Sequence, residues 1–388
     1  MKAPARSRPW RYQLSKRALA VLDSGHPWIF RGLLSSAAHA LPDGQWLALH
    51  DGANRVVGHG VYAAEGAVAI RVLARGPERP GGATFAARID AALARRAPLR
   101  AETDGFRAIH GESDGLPAVV VDVFGPVVVA QSYAAGVDAL ARFAGRRIAR
   151  ALGAQALILR AGHRRFSGGG EAPRVVAGQA ADEVVFHEGP LALHARPRSG
   201  QKSGSFLDLR GLRRWVAGAP LAGARVLNLF AYTGGLGLAA EHAGAAHVTQ
   251  VDRSADALAL AARHHVRDPA RHTFAIADAF GWRPPDREAR FELVIVDPPS
   301  MTSRKEQVGQ VLAAYRRLHH HAAGLVAPGG QLVLCCCTSR VTRRQFLAVV
   351  AERRDRFDVI ADLPPELDHP VGFPEADYLK VVILRARS

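Results

Sequence analysis

The chain has 388 residues, 48% hydrophobic and 22% charged, the balance of a folded protein rather than a disordered one. No apolar run reaches the ~18–20 residues of a membrane helix, and the length suits two or three domains of roughly 100–200 residues. Lys and Arg outnumber Asp and Glu by 16, 51 against 35, the footprint of a protein with a polyanion partner such as nucleic acid.

Only five of those cations are lysines: Lys2, Lys16, Lys202, Lys305 and Lys380. Where Arg has displaced Lys nearly everywhere, a remaining Lys hints at a need for a compact ammonium. The basic segment 1–22 holds one apolar stretch, residues 18–22, too short for a secretory signal. Cys335, Cys336 and Cys337 are consecutive; they build neither a disulfide framework nor a zinc site, and reduced thiols in a cytoplasmic protein are expected.

In chain order, residues 12–72 read as all-β, with apolar runs at 46–49, 56–62 and 67–72 between turn signals. The Pro/Gly/Arg-rich stretch 74–82 reads as a linker. A helix over 84–96 follows, with Phe85, Ile89 and Leu93 on one face. Strands at 118–124 and 127–131, a helix at 137–152, a strand at 156–160, a flexible loop at 167–173 and a hairpin of 184–186 with 191–194 make an α+β region. From about Leu209 helices alternate with strands at 225–230, 247–252, 273–276, 293–297, 331–336 and 378–384. That alternation predicts an α/β, Rossmann-like doubly wound sheet at the C-terminus. Boundaries are expected at 1–75, 76–190 and 191–388.

The strand 225–230 runs into Ala231-Tyr232-Thr233-Gly234-Gly235-Leu236-Gly237 and a helix. Glycines at such a turn admit a ligand close to the backbone, and the helix start offers free N–H groups. Asp252 ends the next strand, where ribose hydroxyls are bound, and Asp278 follows the third, where an adenine amine is read. The fourth strand ends in Asp297-Pro298-Pro299-Ser300, a rigid turn at the edge where ligands bind.

Along the fifth strand side chains alternate, so Cys335 and Cys337 face one way and Cys336 the other. Cys337 stands nearest the Asp297 turn. A thiol beside an acid suits methylation of pyrimidine C5: the thiolate adds at C6, the acid engages N3, C5 takes the methyl group and a base removes its proton.

Several stretches resemble the bacterial large-subunit ribosomal RNA methyltransferases of the RlmI type, over nearly the whole chain. They are His26-Pro27-Trp28-Ile29-Phe30, the run 112–122 (ESDGLPAVVVD), the run 201–208 (QKSGSFLD), Asn228 to Gly235, Asp297-Pro298-Pro299, Cys337, Asp368-His369-Pro370 and Tyr378-Leu379-Lys380. The resemblance implies a small all-β PUA-like barrel, a small α+β central domain and a class I S-adenosylmethionine domain. It implies cytosine-C5 methylation of 23S ribosomal RNA, with Cys337 as nucleophile and Asp297 at the base. The implied cofactor contacts are Asn228, Phe230, Tyr232, Thr233, Gly234, Gly235, Asp252, Arg253, Asp278, Ala279, Asp297, Gln201 and Phe206. The implied substrate contacts are Lys202, Pro298, Pro299 and Lys380. No metal and no membrane partner are expected, and a homodimer is open. Two departures stand out: Cys335 and Cys336 precede the cysteine where a polar or small residue is usual, and Ser300 replaces a common Lys. The rival reading is methylation of another base atom, such as a guanine nitrogen, with Cys337 structural. His319-His320-His321 reads as a solvated helix surface, because consecutive helical side chains diverge by about 100°. Trp28 and Phe30 read as core rather than base-stacking residues.

Overall fold

The computed structural model describes residues 10–35, 41–162, 172–302 and 304–387. Of the loop expected at 167–173, residues 167–171 lie outside the described residues. The chain divides into two compact units, Met1–Val184 with Ala195–Ser205 and Val185–His194 with Phe206–Ser388.

The first unit opens with β1 (Trp10–Gln13), α1 (Lys16–Asp23), β2 (Trp28–Phe30), β3 (Trp46–His50), β4 (Val56–Tyr62) and β5 (Val68–Arg75), whose strands pair in the order β1-β3-β4-β5-β2. The region is therefore not all-β. The Ser15 hydroxyl caps α1 by accepting from the Ala18 amide at 3.1 Å, and Ala18 and Leu22, four residues apart, bury its inner face. Next come α2 (Gly82–Arg95), β6 (Gly105–His110), β7 (Val119–Phe124), β8 (Val127–Ser132), α3 (Asp138–Leu152), β9 (Ala156–Ala161) and β10 (Arg174–Ala177), with sheet order β10-β9-β8-β7-β6. The 112–122 motif is structural here. Glu112 accepts from the Trp28 indole at 2.8 Å and from Arg71 at 2.7 Å. Trp28 is thus pinned, with the Arg71 guanidinium 5.5 Å from its ring centroid. Asp114 takes the fully buried Arg96 at 2.8 and 2.7 Å.

The second unit carries the hairpin β11 (Val184–Glu188) and β12 (Leu191–Ala195), apart from the end residues Val184 and Ala195. Then follow α4 (Arg210–Ala217), β13 (Arg225–Leu229), α5 (Gly235–His242), β14 (His247–Asp252), α6 (Ala255–His264), β15 (His272–Ile276), β16 (Phe291–Val296), α7 (Val308–Ala323), β17 (Val326–Cys336), α8 (Arg343–Ala351), β18 (Phe357–Leu363) and β19 (Lys380–Ala386). The strands form one sheet, ordered β15-β14-β13-β16-β17-β19-β18. The first five run parallel, and β19 pairs antiparallel with β17 and β18. The order of connection reverses between β13 and β16, which makes the switch point where open α/β sheets bind ligands. Leu227, Leu229, Val294, Val296, Leu332 and Leu334 pack against α7 and α8 residues such as Tyr315 and Phe346 in the main core. Among the described residues no helix is long and apolar enough to cross a membrane.

His319 corrects the sequence reading of the histidine run. It is fully buried between Tyr315 and Phe346, with ring centroids 5.7 Å from each, while His320 is exposed. The period of α7 turns one of three consecutive residues inward, and His319 falls there.

Candidate active site and cofactor loop

The loop between β13 and α5 alternates through left-handed conformations: Phe230 has φ +63°, Tyr232 +48° and Gly234 +78°. Two non-glycine residues in that region carry strain of about 1–3 kcal/mol each, typical of a loop shaped for a ligand. Backbone and side chains hold it. The Ala231 amide donates to the Val251 carbonyl at 3.0 Å and the Tyr232 amide to Asp252 Oδ2 at 2.8 Å. Asp252 Oδ1 accepts from the Ser254 amide at 2.8 Å. A carboxylate offers about four lone-pair sites, so roughly two remain for hydroxyls.

The glycines answer a packing demand as well. A Cβ on Gly237 would lie 2.6 Å from the Gln250 side chain, and one on Gly234 2.7 Å from Ala261. Gln250 in turn donates from Nε2 to His272 Nδ1 at 3.1 Å, and His272 Nε2–H donates to Glu241 Oε2 at 3.2 Å. This buried relay fixes α5 to the sheet.

Asp278 stands exposed beyond β15, with its Oδ1 accepting from the Phe280 amide at 3.1 Å. The Ala277 amide donates to the Asp252 carbonyl at 3.0 Å, so the two acids sit on adjoining strand ends. Phe230 and Phe280 meet edge to face at 5.3 Å, and Ile276 is 67% exposed. Apolar walls beside an exposed carboxylate, next to free α5 amides, fit a purine nucleoside with a charged tail. Phe206 packs edge to face on Tyr232 at 5.1 Å. Arg253 is exposed and Ala279 buried at 1%. Asn228 departs from its expected role. It is wholly buried in β13 and underlies the loop instead of lining it. Its amide pairs with nothing among the described residues.

Gln201 and Lys202 belong to the first unit. Their segment is tied down by Arg160, which donates to the Pro197 carbonyl at 3.2 Å and the Gly200 carbonyl at 3.1 Å, and by Ser203, which donates to Asp122. Lys202 has φ +49°, so this tie holds it in a strained backbone conformation.

At the switch point β16 delivers Asp297 and β17 delivers the cysteines. Asp297 is half-buried, Pro298 buried and Pro299 exposed. The Cys337 thiol donates to the Pro298 carbonyl at 3.4 Å, so the thiol sits against the turn that follows the acid. Cys335 and Cys336 are fully buried and Cys337 is half-buried. Burial pushes the Cys335 thiol well up, with the Asp297 and Cys337 charges adding to it, and burial also raises Cys336. Both thiols lie inside the packed sheet, away from solvent.

Thr338 joins the two loops. Its hydroxyl accepts from the Met301 amide at 3.2 Å and contacts the Tyr315 hydroxyl at 3.2 Å. Lys380 corrects the expectation of a substrate contact. Its ammonium is fully buried and donates to the carbonyls of Val341 at 2.6 Å, Tyr378 at 3.0 Å and Thr338 at 3.4 Å. An ammonium has three donors and all three are used. Lys380 braces the turn after Cys337.

His265 was not foreseen. Its Nδ1–H donates to the Thr233 carbonyl and its Nε2 accepts from the His194 amide at 2.8 Å. It bridges the cofactor loop to β12 as a neutral ring. Burial holds its pKa down at about 4, opposed by the Thr233 bond and reinforced by His194, His264 and Arg213. His319 is held down at about 3, again by burial and then by Arg353. From an ordinary value of 6.5, both rings protonate in the unfolded chain before they do in the fold. Their stabilisation is full above that pH and is lost as pH falls through it, roughly 3 kcal/mol for His265 at pH 4. In urea unfolding, His265→Asn keeps a donor and an acceptor without titrating. It should lose distinctly less stability than wild type between pH 6.5 and 4. Identical pH dependence in the two proteins would refute the assignment.

Comparison with known proteins accords with this architecture. Residues 155–385 match a family described as S-adenosylmethionine-dependent methyltransferase, and residues 13–75 match the PUA-like domain. A ribosomal RNA large subunit methyltransferase of Deinococcus radiodurans is 38% identical over 99% of this chain and 100% of its own. Ribosomal RNA large subunit methyltransferase I of Pseudoalteromonas atlantica is 30% identical over 93% of this chain and 95% of its own. A methyltransferase solved with S-adenosylhomocysteine has a TM-score of 0.84 at 19% identity, covering 97% of this chain and all of the other, and supports the fold. With its cofactor loop, paired strand-end acids and PUA-like N-terminus, the chain belongs to the RlmI-type family of S-adenosylmethionine-dependent methyltransferases.

Proposed function

We propose that the protein methylates C5 of a cytosine in large-subunit ribosomal RNA through a covalent adduct on Cys337. The observation that carries this is the thiol geometry. Of the three cysteines, Cys337 alone is not fully buried, and its sulfur meets the Pro298 carbonyl next to Asp297. The names of the relatives supply the ribosomal RNA.

In this reading Gly234 and Gly235 admit the cofactor's tail to the loop and the α5 start, Asp252 takes the ribose, and Asp278 reads the adenine. S-adenosylmethionine supplies an electrophilic methyl group. The Cys337 thiolate adds to C6 of the cytosine, and the electron pair displaced to C5 forms the new carbon–methyl bond as the methyl's bond to the sulfonium sulfur breaks and its electrons return to sulfur as a neutral thioether. Asp297 engages N3, while Pro298 and Pro299 shape the edge against which the base lies. Transfer of the C5 proton to a base then expels the thiolate and restores the aromatic ring. We assign RNA holding to residues 1–75, with 76–190 as the central domain and 191–388 as the methyl-transfer domain.

The test is transfer of labelled methyl to protein-free large-subunit ribosomal RNA lacking its native modifications, followed by digestion to nucleosides. Label in 5-methylcytidine is expected. Label in a methylated guanosine would sink the cytosine reading and return Cys337 to a structural role.

A further inference from the structure

Helix α3 of the first unit packs Leu140, Ala141, Ala144, Gly145 and Ile148 inward. On a helical period of 100° per residue, Arg142, Phe143, Arg146 and Arg150 fall within one sector about 100° wide on the opposite side. All four are exposed, Phe143 at 39%. The arginines are one turn apart, about 6 Å along the axis.

Other arginines nearby are paired. Arg147 binds Asp90 at 2.5 Å, Arg107 binds Asp122 at 2.8 Å, and Arg88 donates to the Leu73 and Gly115 carbonyls, both at 2.7 Å. Among the described residues no acid pairs with Arg142, Arg146 or Arg150. The single acid of α3, Asp138, accepts from the Ser132 hydroxyl at 2.5 Å. A merely solvated helix face interleaves opposite charges at i and i+4, and a row of like charges at that spacing destabilises the helix. The fold bears that cost, together with an exposed phenylalanine beside the row.

We propose that this face of α3 is an RNA-contact surface separate from the PUA-like domain, where Arg142, Arg146 and Arg150 hold successive phosphates and Phe143 stacks on an unpaired base. The proposal rests on the reading of RNA as substrate. Three guanidinium groups in line, in a protein of net charge +16, complement a polyanion. The aromatic side chain among them selects single-stranded RNA, whose bases are free to stack, over a duplex.

The experiment measures affinity for protein-free large-subunit ribosomal RNA against salt, alongside methyl-transfer kinetics. It compares wild type, Arg142→Gln/Arg146→Gln/Arg150→Gln, Phe143→Ala, and an equal-charge control, Arg283→Gln/Arg287→Gln/Arg344→Gln, whose sites are also exposed. The α3 variant should flatten the log–log salt slope by about 2, as three lost contacts to a single strand require. Its KM should rise with kcat unchanged, and Phe143→Ala should weaken binding about tenfold without changing the slope. An unchanged slope or an equal loss in the control would overturn the surface. Wild-type transfer in the same assay tests the substrate reading separately.

Discussion

Cys337→Ala is expected to lower methyl transfer at least about 10³-fold, because removal of a nucleophile closes the covalent route and not merely one contact. Cofactor affinity should stay within about twofold, since the loop from Phe230 to Gly235 is held by Asp252 and His265 and not by the thiol. Cys335→Ala and Cys336→Ala remove fully buried side chains. Their cost should appear as stability, with turnover largely kept. RNA carrying 5-fluorocytosine sharpens the comparison. With fluorine at C5 there is no proton to remove, so the adduct persists and shifts on a denaturing gel. Wild type and Cys336→Ala should both be trapped. Trapping that survives in Cys337→Ala would exclude Cys337 as the nucleophile.

Asp114→Ala should destabilise the first unit by about 3–5 kcal/mol, the cost of stranding a buried charge. Arg96 is fully buried and spends its guanidinium on Asp114 and on the carbonyls of Ala92 at 3.1 Å and Arg107 at 3.0 Å. Asp114 also accepts from the His110 amide at 2.6 Å and from Arg95. Replacing the acid removes the carboxylate that pairs with this cation and the anchor of the turn. Urea unfolding followed on the first unit measures this. The double variant Arg96→Met/Asp114→Leu should recover much of the loss, because the penalty belongs to the unpaired charge. A loss below about 1 kcal/mol for the single variant would mean that water reaches Arg96.

The catalytic sheet was legible in the sequence because its signals are local. Gly234 and Gly235 after an apolar strand, Asp252 and Asp278 at the following strand ends, and Pro298-Pro299 after Asp297 each constrain the backbone where they stand. Helix α1 was not, since its apolar face comes down to Ala18 and Leu22 within a charged segment flanked by strands. Strand β18 was passed over although Phe357, Val359, Ala361 and Leu363 alternate, because Val359 at the sheet edge is 45% exposed. Partners of buried charge are non-local: nothing in Asp122 announces Arg107 and Ser203, and nothing in His265 announces Thr233. Lys380 is the instructive case. The scarcity of lysine did mark a position that needs a compact ammonium, but the need is for three carbonyls beneath the site.

The Thr338 clasp has a mechanical meaning. Its hydroxyl meets both Met301, four residues past Asp297, and Tyr315 of α7, while Lys380 grips the carbonyl of the same threonine. The loops that carry the acid and the thiol are thus tied together through one threonine. Little freedom remains to be frozen in the transition state at this edge. On the proposed mechanism, the reorganisation needed for reaction falls to the RNA, whose target base leaves its stack to reach this edge.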